Sequence, residues 1–363
     1  LIGDGHLPRP KRTIRFWWTT ENNSEPRYFA DHPAILKRLW VDINQDMVGA
    51  DQSIDVMRTQ NVFRVPASRF HFLNDVAEAV IEYMVAGNSA NITQFRNGYG
   101  LYTRPHLAHN GSEHRYNAQT VWFEGDSDHD SFLNAGVPAI GFGNEPDRFI
   151  HSNLDDLWGI DRTQLGRNAA SAALIAYTMA SADVASFDLF GGEVMGRGEA
   201  RLARNFGLGL QLMATSTDRL AAYYGAVDQV QYAAARERRA LRSLGEIAGG
   251  VEPRVAALLA ALDRRESDDL RELAAAYGRV SSPTGTPIPK RRFSPAEQEL
   301  ASMRLIVVGS PSDFYAPRRC TATTPLSHSF VLCDARFLLA LPRRWRCRLL
   351  PCPASRASAQ QLA

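Results

Sequence analysis

Along residues 1–182, short apolar runs alternate with longer amphipathic ones. Thr13 to Thr19 (TIRFWWT) is rich in β-branched and aromatic residues and predicts a buried strand. Pro33 to Trp40 predicts a short helix with proline in its first turn. Val41 to Met47 follows as a strand closed by Gly49, and Ile54 to Arg58 as a further strand. Arg69 to Ala86 spaces its apolar residues as a helix does, with Gly87 as the stop. His71 falls near the start of that helix and reads as a surface histidine. Asn97 to Thr120 has no period and reads as a loop, with His106, His109 and His114 on a solvated or substrate-facing rim. Val137 to Phe142 predicts a strand, and Arg162 to Ser181 an alanine-rich helix capped by Asp161. Strands alternating with helices predict an α/β fold with a mostly parallel sheet flanked by helices.

Past residue 183 the pattern changes. Arg201 to Ala248 and Val251 to Tyr277 keep helical spacing throughout, broken at Gly249 and Gly250, so a helical region at 183–280 is expected. Residues 281–314 read as a Pro/Gly/Ser linker plus a short strand at Met303 to Val308. Residues 315–363 carry eight arginines, no lysine, one acid (Asp334) and all four cysteines, without a sustained period. That tail reads as disordered or as non-native, frameshifted coding sequence.

Composition removes some functions and leaves others open. At 363 residues there is room for two domains, and a net charge of +2 gives no general pull toward nucleic acid or a membrane surface. No apolar run reaches the roughly 18 residues that a bilayer span needs. The cysteine spacings match no zinc ribbon. The chain opens without Met and without a signal peptide, as though cut from something longer.

Candidate chemistry gathers where predicted strands end. Asp46 stands at the carboxyl end of the Val41 strand, before a turn glycine. Glu21 follows the Thr13 strand. Asp126 to Asp156 places an acidic loop with Asp128 and His129 before an apolar strand, then His151 and Asp155 after it. In an open α/β sheet, strand ends of one direction converge on a single crevice, so Glu21, Asp46 and His151 are expected to meet there.

The phrases TIRFWWTTE, INQDMVG, SDHDSFLNAGVPAIGF and IHSNLDD resemble the zinc aminopeptidases of clan MH, the leucyl aminopeptidase, aminopeptidase Y and glutaminyl cyclase type. The likeness covers about residues 1–182 and implies part of a zinc exopeptidase domain. It implies two zinc ions, with Asp46 a ligand of one and His151 of the other. It implies a general base and a further ligand from an adjacent Glu-Glu pair, where this chain has Glu21-Asn22. Asp128, His129 and Asp155 are expected to orient ligands or line the pocket. The partner implied is a peptide with a free amino terminus, and relatives of this type are often secreted. In the family a further zinc histidine and a bridging aspartate precede the first strand of this segment, and His6 beside Asp4 is a poor substitute. An amino-terminally truncated, impaired aminopeptidase is therefore expected. The alternatives are an inactive relative that binds peptides or a partner, and a single-zinc cyclase.

Overall fold

Among the described residues, four short strands and eight helices follow in the order α1 (Ser24–Asp31), α2 (Pro33–Leu36), β1 (Asp42–Gln45), β2 (Thr59–Phe63), α3 (Leu73–Arg96), β3 (Ala118–Val121), α4 (His129–Asn134), β4 (Ala139–Glu145), α5 (Arg162–Ser181), α6 (Phe187–Thr215), α7 (Arg219–Ser243) and α8 (Pro253–Ser281). They are seen in a computed structural model. It describes residues 2–55, 57–96, 116–250, 252–281 and 287–293, with positions 295, 296 and 298. Residues 1–289 form one compact unit and residues 290–363 a second. The histidine loop from 97 to 115, the strand expected at Met303 to Val308, the four cysteines and the basic tail lie outside the described residues.

The sheet runs β1-β4-β2-β3. β1 lies parallel to β4, β2 parallel to β3, and β2 antiparallel to β4. The α/β architecture with a mostly parallel, mixed sheet and a helical region after it is the one expected. β4 is buried nearly throughout (AIGFGNE), as a strand covered on both faces must be. Phe29, Phe132 and Trp17 pack edge to face beside it, with ring centroids 5.2–5.8 Å apart.

Several expectations need correction. Thr13–Thr19 forms no strand: Trp17 turns inward, while Phe16 and Trp18 are 90% and 95% exposed. A buried strand needs cover on both faces. Here only Ile14 and Trp17 are even partly covered, and among the described residues no ladder hydrogen bonds hold the segment. The strand expected at Ile54–Arg58 starts instead at Thr59, because Asp55 turns the chain there: its carbonyl accepts from Arg58 N and its carboxylate from Met57 N. Only Pro33–Leu36 of the predicted second helix is helical. Gly87 does not stop α3, which runs to Arg96. His71 is 3% exposed, not on a helix surface: it precedes α3, and its Nε2 lies 3.0 Å from Glu246 Oε2, which also accepts from Trp40 Nε1.

In the helical region, α6 starts 14 residues before the predicted Arg201, and the chain turns at Ser216–Asp218. Six glycines within α6 hide it from a propensity reading. Two of them allow α7 to approach closely: a Cβ at Gly209 would fall 2.8 Å from the Ala226 Cβ, and one at Gly198 3.3 Å from Glu237. The Asp161 cap of α5 is as expected, accepting from Thr163 N at 2.7 Å.

A dense ion-pair cluster fastens the helical region to α3. Arg201 reaches Asp75 at 2.6 Å, Glu237 at 2.7 Å and Glu78 at 3.3 Å. Glu78 also meets Arg64 and Arg197, and Glu237 meets Arg236. Burial works against charge here, yet Asp75 and Glu237 hold the Arg201 guanidinium above its ordinary pKa.

Candidate active site

β1 and β4 are parallel, so their carboxyl ends open on the same edge of the sheet. Asp46 continues β1 by one ladder bond, its N–H donating to Phe142 O at 3.2 Å. β4 ends at the cis Glu145–Pro146 peptide, and the chain turns back through Phe149–Ser152. His151 sits on that turn, exposed, with φ +60°. Few non-glycine residues adopt this left-handed conformation, and those that do gather at functional turns.

The loop between β3 and α4 holds the carboxylates. Ser127 Oγ donates to Asp46 Oδ2 at 2.8 Å and accepts from Asn44 Nδ2 at 2.7 Å, which fixes the Asp46 carboxylate. Asp128 accepts from Asn22 N at 2.7 Å and from Thr19 Oγ1 at 2.5 Å. Both of its oxygens thus grip the turn that carries Glu21. The loop closes on itself through Asp126 N to Asp130 Oδ2, 2.8 Å. Ser127 and Asn44 lie inside the motifs that flagged the site. Their roles went unread because a hydroxyl or amide that orients a carboxylate carries no spacing signature.

Asp46 and His151 both come within electrostatic reach of Glu21. Partial burial, then Asp46, Asp128 and Asp126, push the Glu21 carboxyl above its usual range, and His151 pulls it down. His129 lies behind this edge, 1% exposed. Its Nε2 is 2.8 Å from Glu124 O, its ring stacks on Phe63 at 6.2 Å, and it packs so closely on β4 that a Cβ at Gly141 would lie 2.9 Å from its Nδ1. It therefore braces the acidic loop against the sheet. Asp155 is exposed on the turn after His151, and among the described residues its carboxylate has no partner.

Two oxygen donors and one imidazole are the right kinds of ligand for zinc. Their arrangement does not fit a closed site: among the described residues, no three His, Cys, Asp or Glu side chains converge to hold a metal ion. Beside Asp46 and His151 lies a cavity of about 510 Å³ lined by Met47, Asn61, Glu145, Pro146, Asp147 and Ile150.

Residues 5–176 match the model of peptidase family M28. Over this segment the chain is similar to peptidase family M28. M28 enzymes are generally zinc-dependent peptide hydrolases. The M28 segment ends within α5, so α6 to α8 lie beyond it. No curated protein and no solved structure matches the chain.

Proposed function

We propose that the crevice is a zinc-peptidase centre that releases residues from the amino terminus of peptides, and that this chain by itself does so slowly. The observation that carries the reading is the gathering of Glu21, Asp46 and His151 at one sheet edge, with their carboxylates uncompensated. Asp46 and His151 would hold the metal. Bound zinc supplies a water whose pKa falls toward about 7. Glu21 would take the proton of the attacking water, and its raised pKa makes it a stronger base than an ordinary carboxylate. Thr19, Asn22 and Asp128 keep that carboxylate aimed by fixing its turn. The surplus negative charge favours a substrate with a free ammonium group and disfavours nucleic acid.

The slow rate follows from the ligand set. Zinc sites ordinarily take three or more protein ligands, and Asn22 stands where the resemblance places a second carboxylate. The test is zinc content, together with release of p-nitroaniline from leucine p-nitroanilide before and after zinc addition. Sub-stoichiometric zinc with slow, zinc-stimulated release is expected. No bound zinc and no release at saturating zinc would defeat the reading and leave a peptide-binding relative.

A further inference from the structure

The cavity beside the crevice is chemically mixed. Met47, Pro146 and Ile150 give it apolar walls, and Asn61, Glu145 and Asp147 give it polar ones. Its two acids differ. Asp147 Oδ1 accepts from the buried Arg58 Nη2 at 2.7 Å and from Phe149 N at 2.9 Å, so its charge is matched. Glu145 is only half-buried; its backbone pairs with Thr59, and among the described residues its carboxylate has no hydrogen-bond or ion-pair partner. Glu124 lies within its electrostatic reach, and its carboxylate too lacks a cation among the described residues. The cavity thus combines an apolar lining with unmatched negative charge. An alkyl chain ending in a cation satisfies both, since its methylenes cover apolar surface while its head stays at the charged rim.

We infer that this cavity receives the side chain of a basic residue, so that lysine or arginine is the preferred first residue of the peptide. The inference rests on the peptidase reading for its substrate, while the cavity itself can be tested without turnover. Met47 directly follows Asp46 and Ile150 directly precedes His151, so a side chain lying on their walls places its own peptide bond beside the candidate ligands. An uncharged side chain would desolvate the Glu145 carboxylate with nothing in return. Two sources of the cation must be separated: the side chain and the peptide's own α-amino group.

The experiment uses the full chain with its methionines labelled at the ¹³C methyl, the Met47 signal being assigned by Met47→Leu. Argininamide, norleucinamide and Nα-acetylargininamide are titrated into the wild type and Glu145→Gln. Argininamide is expected to bind about tenfold tighter than norleucinamide, the scale of one hydrogen bond to a charged group. Acetylation should keep that preference, and Glu145→Gln should reduce it below about twofold. Equal binding of argininamide and norleucinamide to the wild type, or a preference that survives Glu145→Gln, overturns the inference. A preference lost on acetylation also overturns it, since Glu145 would then hold the α-amino group. Hydrolysis of arginine and leucine p-nitroanilides at added zinc separates this inference from the peptidase reading. An intact argininamide preference without hydrolysis sinks the peptidase reading and supports the cavity assignment. Equal hydrolysis of the two substrates sinks the assignment and supports the peptidase reading.

Discussion

The molecule carries two acidic clusters and treats them oppositely. At the junction of α3, α6 and α7, the carboxylates Asp75, Glu78 and Glu237 each face an arginine within 3.4 Å. At the carboxyl end of β1, Asp46, Asp128 and Asp126 all bear on the Glu21 carboxylate, and among the described residues His151 opposes them. The first cluster is closed and serves the fold. The second is held in place by neutral groups, Ser127, Asn44, Thr19 and the Asn22 N–H, which orient charge without cancelling it. On the proposed reading, the open cluster receives its cation from outside.

Breaking the closed cluster gives the largest expected effect. Arg201→Ala leaves the buried Asp75 without its cation and should cost about 3–5 kcal/mol in urea unfolding. The open cluster should respond to metal instead. Zinc at a hundred times its dissociation constant should stabilise the wild type by about 2.7 kcal/mol, and Asp46→Asn or His151→Ala should abolish that gain. A zinc response that survives both changes would put the cation elsewhere.

A third effect lies beneath the crevice. Burial pushes Asp42, at the start of β1, up to about 8, with Asp128 and Glu25 adding to it. A carboxyl raised in the folded state keeps a proton there that the unfolded chain releases near pH 4. Stability should therefore fall as pH rises from about 4 to about 8, at no more than about 1.4 kcal/mol per pH unit for this group. Asp75, pushed up to about 7 by burial against the pull of Arg201, adds the same sign. Asp42→Asn should flatten part of the slope in denaturation followed between pH 5 and 8. The smallest effect is the sharpest probe of the contrast. Asp126→Asn removes one crevice charge at a position with φ +88°, which asparagine tolerates. It should stabilise the protein by about 0.5 kcal/mol or less, and a loss of that size would show that the crevice charges are paired after all.

The sequence made the crevice legible because its parts are motifs: a carboxylate after INQ, an acidic loop before GVPAI and a histidine after it. The same reading misjudged TIRFWWT, since apolar content does not reveal whether both faces of a segment find cover. It placed β2 too early and missed β3, since TQNVF and AQTV are too short and too polar to announce themselves. The arginine cluster was invisible for another reason. Its members come from β2's end, α3, α6 and α7, and only the packed helices bring them together. It also assigned Asp128 a general supporting position; its grip on Asn22 and Thr19 depends on two loops that lie over 100 residues apart.

The six glycines of α6 bear on the order of folding. Each costs a free helix about 1 kcal/mol relative to alanine, so α6 has little helical life of its own. Its backbone is shaped by α7, where Gly209 closes on Ala226 and Gly198 on Glu237. α6 should therefore be a late structure, acquired when α7 docks. Its amides should lose protection against hydrogen exchange in the same opening event as those of α7, while α5, capped by Asp161, holds out separately.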